Sequence, residues 1–330
     1  MTLSTAWARA MDLTAPVVSA PMGGIAGGRL AAAVSAAGGL GMIGAGSAAS
    51  VATLAPELAV ARDAGSRFGV GFIGWKCARE PELLATALGA DPALVAVSFT
   101  DDFGWVDLVK DAGATAATQV SDLSSAQRAE QAGVDVLVAR GAEGGGHGEP
   151  ALATLPLLEV VLDAVSVPVL AAGGITSPRA LAAVLAAGAG GAWVGTAFAA
   201  CRESLASEGT RAQLVEAAGT DTVLTSVFDV ALGYEWPRRF PERVIRNDYW
   251  ERWAGREGEL EADPEARAAL ASAVRDDDLR IAHVDAGQGV GLVTAVASAA
   301  EVMDRLCTGA EALLRAAGAG WPAPDATPNP

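Results

Sequence analysis

The chain has two histidines, His147 and His283. The first stands in a run of glycines: Gly141-Ala142-Glu143-Gly144-Gly145-Gly146-His147-Gly148-Glu149. An imidazole titrates near neutrality, so it can take or give a proton at a reacting atom. The residues beside His147 offer it nothing to pack against, which argues against a core role. The plain alternative is a flexible surface loop that happens to carry a histidine. His283 follows Ile281-Ala282 and precedes Val284, and it reads as structural.

Two further glycine turns suit a phosphate. Ala171-Ala172-Gly173-Gly174-Ile175 and Gly195-Thr196 each close a short apolar run. Backbone N–H groups at such turns can point at phosphate oxygens, and glycine keeps a Cβ from standing in the way. Either turn alone could be a tight bend and nothing more; the pair together favours a phosphate site. At Ala20-Pro21-Met22-Gly23-Gly24, small residues would let backbone amides approach a flat ring edge-on, with a simple strand-to-helix turn as the alternative. Gly39-Leu40-Gly41-Met42-Ile43-Gly44 matches G-x-G-x-x-G by letter. Residues 40–44 read as a strand, however, whereas the dinucleotide fingerprint opens a helix, so this match is discounted.

These residues need elements to position them. Short β-branched runs predict strands over 17–20, 40–44, 69–73, 94–99, 116–120, 135–139, 167–172 and 192–195. Between them, Ala/Leu-rich stretches predict helices over 29–37, 51–64, 81–88, 105–112, 124–132, 155–165 and 178–187. Ser177-Pro178 is an N-cap followed by proline at the first helical position. Gly38, Gly113, Gly133 and Gly188 stand just past helix ends, where a left-handed residue is often required. Regular alternation implies a parallel sheet, and eight repeats let it close as a (β/α)8 TIM barrel; an open doubly wound sheet is the rival. The catalytic face is then the C-terminal end of the strands, where the glycine turns and His147 all fall.

After about residue 204 the rhythm changes. Residues 207–285 become charged and aromatic, with Tyr234, Trp236, Tyr249, Trp250 and Trp253 close together. They read as an inserted, mainly helical subdomain capping the barrel mouth, with 235–246 as an extended surface strip. Residues 293–314 look helical and should pack back on the barrel. The expected organisation is therefore a barrel over 1–206 and 286–316, the cap over 207–285, and a flexible tail over 317–330.

Composition narrows the partners. Of 330 residues, 51% are hydrophobic and 39 are glycine, which suits close helix-on-strand packing with many short loops. A net charge of −16 argues against nucleic acid or an anionic membrane surface. Cys77, Cys201 and Cys307 are odd in number and lack metal-ligand spacing, so a reducing cytoplasm is expected. Residues 1–16 carry Arg9 and Asp12 without a long apolar run, and no signal peptide is expected there. Residues 30–56 and 180–201 are uncharged, but their glycine punctuation breaks each into a helical piece and a strand, unlike a membrane span.

In order, these motifs resemble the nitronate monooxygenase family, formerly the 2-nitropropane dioxygenases, which are FMN-dependent barrels related to flavin-dependent enoyl-ACP reductases. The resemblance rests on Ala20-Pro21-Met22, residues 30–44, Gly145-Gly146-His147-Gly148, Ala172-Gly173-Gly174-Ile175, Gly195-Thr196-Ala197-Phe198 and Glu203-Ser204. Trp236-Pro237, Arg246-Asn247 and Ala286-Gly287-Gln288-Gly289 add pieces like the family's C-terminal region. It implies that Pro21, Met22 and Gly23 lie along the isoalloxazine and that Gln119 contacts the flavin. It also implies that Gly145 and Gly146 line the cofactor, that Gly173, Gly174, Gly195 and Thr196 hold the phosphate, and that His147 is catalytic. There are departures. Gly69-Val70-Gly71-Phe72 lacks an asparagine common after the third strand. Ala117-Thr118-Gln119-Val120-Ser121 differs from the His-Lys-Cys pattern of one group of nitronate oxidases.

The resemblance implies oxidation of an alkyl nitronate or nitroalkane by FMN and O₂ to a carbonyl compound and nitrite, with no metal. A homodimer is the candidate assembly, and neither nucleic acid nor a membrane is an expected partner. One rival keeps the fold and uses NAD(P)H to reduce an enoyl thioester or quinone. Another is a non-catalytic barrel binding a phosphorylated metabolite.

Overall fold

Buried on both faces, the barrel strands are continuous small apolar runs rather than alternating ones. The computed structural model describes residues 3–319. In chain order its strands are β1 (Val17–Ser19), β2 (Gly41–Ala45), β3 (Phe68–Ile73), β4 (Leu94–Ser98), β5 (Thr115–Val120), β6 (Val136–Arg140), β7 (Gly146–His147), β8 (Val169–Ala172), β9 (Gly191–Val194), β10 (Thr222–Thr225) and β11 (Glu242–Ile245).

Eight of them form one parallel sheet in the order β1-β9-β8-β6-β5-β4-β3-β2. A parallel bridge between Val18 and Leu40, with Ser19 N–H donating to the Leu40 carbonyl, joins the two ends. The sheet is thus a barrel, the TIM-barrel architecture expected, and the open doubly wound alternative is excluded. The letter-match at Gly39–Gly44 falls largely in β2, where Gly41 lets the strand touch helix Gly28–Ala36: a Cβ there would meet the Ala31 carbonyl oxygen at 1.8 Å.

The barrel interior is filled by Val18, Met42, Leu94, Ala96, Val138, Leu170 and Trp193, and its N-terminal end is plugged by Trp7 and Met11. A second shell of buried residues lies between strands and helices. Gly38, Gly113, Gly133 and Gly188 all end helices with positive φ, the backbone conformation in which glycine has no steric penalty.

Residues beyond the last barrel strand build a separate small core of Val227, Phe228, Val244, Tyr249, Trp253, Leu260 and Leu270. Helices Val227–Leu232, Asp248–Trp253 and Pro264–Asp276 surround an antiparallel sheet ordered β10-β11-β7. Three expectations are corrected here. The expected surface strip 235–246 holds only in part: Glu235 and Pro237–Arg239 are exposed, but Phe240 and all of β11 are buried. The helix expected from 293 begins only at Ala299, where Ser298 and Glu301 form a reciprocal capping box. That helix runs to Gly318, so the tail expected from 317 begins in ordered helix, and its remainder from 320 lies outside the described residues. No described helix is long and apolar enough to cross a membrane, and the uncharged stretches divide into helix and strand.

Candidate active site

Parallel register brings every strand's C-terminal end to one mouth, and a cavity of about 700 Å³ opens there. Its wall includes each residue singled out in the sequence: Pro21, Met22, Gly23, Gln119, Gly145, Gly146, His147, Gly173, Gly174, Gly195 and Thr196.

The pairing Ala172↔Trp193 sets the turns after β8 and β9 side by side. Gly173 and Gly174 have φ of +105° and +67°, left-handed backbone that a side chain would strain. Around Gly195 a Cβ would find no atom nearer than 3.6 Å, so its backbone is open to the cavity. The Thr196 hydroxyl accepts from Gly287 N–H at 3.0 Å, tying the segment with Gly287 and Gly289 to the same wall.

On the opposite side, Gly71 permits Pro21 to lie against β3: a Cβ at 71 would meet Pro21 Cγ at 2.2 Å. The departure noted in the sequence therefore has a packing reason. Gln119 is held through its backbone N–H by Ser98 Oγ at 3.1 Å, while its own Oε1 is buried without a partner. An orphaned acceptor on the wall of a cavity calls for a donor on a ligand. Adjacent open glycine turns, a narrow cleft beside Pro21-Met22-Gly23, and this free acceptor together fit a planar group bearing a phosphate.

The loop after β6 is rigidly organised. Buried Arg140 donates from Nη2 to the carbonyls of Gly144, Gly145 and Gly146 at 3.0, 3.1 and 3.0 Å. Burial, reinforced by nearby Arg243, pushes its guanidinium down to about 10. Glu143 accepts from both the backbone and hydroxyl of Thr154, whose hydroxyl also reaches the Gly173 carbonyl. The glycine loop is thereby locked to the phosphate-type turn, not left to move.

His147 then enters β7 and pairs with Glu242 of β11. Its Nε2 lies 2.9 Å from Oδ2 of buried Asp229. Its ring stacks on Trp236, with centroids 3.5 Å apart and planes 6° from parallel. Trp236 donates from Nε1 to Ser47 Oγ at 3.0 Å, spanning from the cap to the loop after β2. Phe99, at the end of β4, meets Trp236 and Phe240 edge-on. Its φ of +65° is rare for an aromatic residue and costs about 1–3 kcal/mol, a strain typical of functional walls.

Asp229, Tyr234, Trp236, Glu242 and Asp285 were not assigned to the site by sequence. They reach the cavity because the cap folds over the mouth. The concentration of Tyr and Trp after 233 was the available signal. His283 also lines the cavity, and its Nδ1 is buried without a partner, so it is more than core filler. Glu242 is 1% exposed, and burial, then the fields of Asp285 and Asp229, raise its carboxyl well above the usual range.

Chemically, the Nε2–Oδ2 contact fixes the imidazole against a carboxylate side chain, with the donor role set by the ring's tautomer. The arrangement can move a proton beside a planar ligand, under an aromatic roof.

A family model described as nitronate monooxygenase matches residues 84–309. The chain is 33% identical to the nitronate monooxygenase npaC of Metarhizium robertsii, covering 71% of this chain and 73% of that protein. It is 30% identical to the (3aS,4S,5R,7aS)-5-hydroxy-7a-methyl-1-oxo-octahydro-1H-indene-4-carboxyl-CoA dehydrogenase of Rhodococcus jostii, covering 75% and 67%. Among solved structures it is similar to FabK from Thermotoga maritima (TM-score 0.83, 28% identity, 96% and 99% of the chains). It is also similar to nitroalkane oxidase from Streptomyces ansochromogenes (TM-score 0.79, 26% identity, 94% and 99%).

Proposed function

Because the chain belongs to the nitronate monooxygenase family of flavin-dependent oxidoreductases, we propose that it uses FMN and O₂ to oxidise alkyl nitronates to a carbonyl compound and nitrite. The observation that carries this reading is His147, held by Asp229 on the same cavity wall as the two glycine turns.

The residues present fit FMN. Gly173, Gly174, Gly195 and Thr196 would hold the phosphate, with backbone N–H groups and no Cβ in the way. Pro21, Met22 and Gly23 would line the ring system, Gly145 and Gly146 would border it, and the orphaned Oε1 of Gln119 would accept from a ring N–H. When bound, the flavin would supply the redox chemistry that couples oxidation of the substrate to reduction of O₂.

The chain's own residues do the rest. The nitronate is an anion, and a protonated His147 would donate to its nitro oxygens. With a neutral nitroalkane, Nδ1 of His147 would remove the α-proton while Asp229 stabilises the resulting imidazolium. Trp236, pinned by Ser47 and flanked by Phe99, shields this proton from bulk water.

A second reading is an NAD(P)H-linked reductase or dehydrogenase of an acyl thioester on the same site. Its support is the R. jostii relative, named as a carboxyl-CoA dehydrogenase, and the close likeness to FabK. Anaerobic mixing decides between them. Bleaching of the bound FMN by a nitronate is the expected result, and an unchanged spectrum sinks the first reading. Fast bleaching by NADH or NADPH alone selects the second. A reducing cytoplasm, where the three thiols stay free, and a homodimer are part of the same proposal.

A further inference from the structure

Glu242, His283 and Asp285 converge for a reason set by strand register. Asp285 bridges Val244 of β11 in antiparallel fashion. Directly opposed residues, and residues two apart on one strand, project to the same side. Glu242, His283 and Asp285 therefore share one face, and one donor atom from each lies within 4.8 Å of the others.

Two of these groups lack partners. Glu242 is 1% exposed with its Oε1 bonded to nothing, and His283 Nδ1 is likewise buried and unbonded. A buried carboxylate oxygen and a buried imidazole nitrogen, both orphaned on one wall, call for a shared partner. Arg140 feels the field of Asp285, but its Nη2 is committed to the carbonyls of Gly144, Gly145 and Gly146. Asp285 is exposed and gives the site a way in. An overlapping group, His147, Asp229 and Glu242, is set as closely together. There, however, His147 Nε2 is already engaged by Asp229.

We propose that Glu242, His283 and Asp285 bind one divalent first-row transition ion. One imidazole and two carboxylates form a mixed nitrogen–oxygen set suited to Mn²⁺, Fe²⁺ or Zn²⁺ rather than to a soft ion held by thiolates. The ion joins β11 to the segment carrying Gly287 and Gly289, and so holds that segment against the cavity. This assignment is independent of whether a nitronate or a thioester is the substrate.

The test is a titration of the FMN-loaded protein, first stripped with chelator, with Mn²⁺ followed by electron paramagnetic resonance of the free ion. Wild type should bind one Mn²⁺ per chain. His283→Ala and Asp285→Asn should each weaken binding by at least about tenfold, while His147→Asn leaves it unchanged. Circular dichroism of each variant checks that the fold is retained. No binding by wild type overturns the proposal, as does binding by His283→Ala as tight as wild type. Loss in His147→Asn with retention in His283→Ala moves the ion to the other group and equally overturns it.

Discussion

The 2.9 Å contact between His147 and Asp229 spans 82 residues of sequence and crosses from the barrel into the cap. It orients the imidazole of the glycine loop against a buried carboxylate side chain. Replacing Asp229 with Asn removes the anionic partner while keeping shape. Turnover of a neutral nitroalkane should fall by about 10²-fold, and that of a preformed nitronate, which needs no deprotonation, should fall less. His147→Asn should lower nitroalkane turnover at least as far while the protein stays yellow. Equal losses on both substrates in Asp229→Asn would remove proton abstraction from the role of this pair.

Trp236 covers one face of His147. Trp236→Ala should make His147 react faster with diethyl pyrocarbonate and raise the KM for substrate, by about threefold to tenfold if the lost stacking is of ordinary strength. FMN content should hold. An unchanged modification rate would mean that the tryptophan is no roof.

Arg140 satisfies three consecutive carbonyls from inside the protein. Arg140→Met leaves them without their donor and should cost about 3 kcal/mol of stability in chemical denaturation. Arg140→Lys keeps the charge but not the planar fork, and should recover only part of it. A melting curve like wild type for Arg140→Met would show that the loop holds itself.

Burial pushes the thiols of Cys77 and Cys201 up to about 12 and that of Cys307 to about 11, from 9.0. Folded thiols should therefore resist Ellman's reagent at pH 8 until the protein is denatured. These groups keep their protons longer in the folded state, so their contribution is complete below pH 9.0 and is lost as pH rises toward 11–12. Cys201→Ser should flatten part of that alkaline decline. A steady stability from pH 9.0 upward would contradict the burial.

The barrel was legible because its signals are local. A run such as residues 94–98 is short and apolar, Ser177-Pro178 starts a helix, and Gly188 stops one; each acts over a few residues. The glycine turns at 173–174 and 195–196 were legible for the same reason, since strand order alone makes neighbours of the turns that follow them. The cap was not. Residues 242–245 look like surface because Glu242 and Arg243 are charged, and only their burial against β7 and β10 shows a strand. His147 was visible as a candidate, but its partners were not: Asp229 lies far along the chain, and the aromatic cluster around Trp236 gave no sign of which ring would meet the imidazole. Local sequence determined the scaffold and the glycine turns, because backbone preferences act between near neighbours. Tertiary packing alone decided what surrounds the imidazole, because a fold brings distant side chains within hydrogen-bond range through contacts that no local pattern encodes.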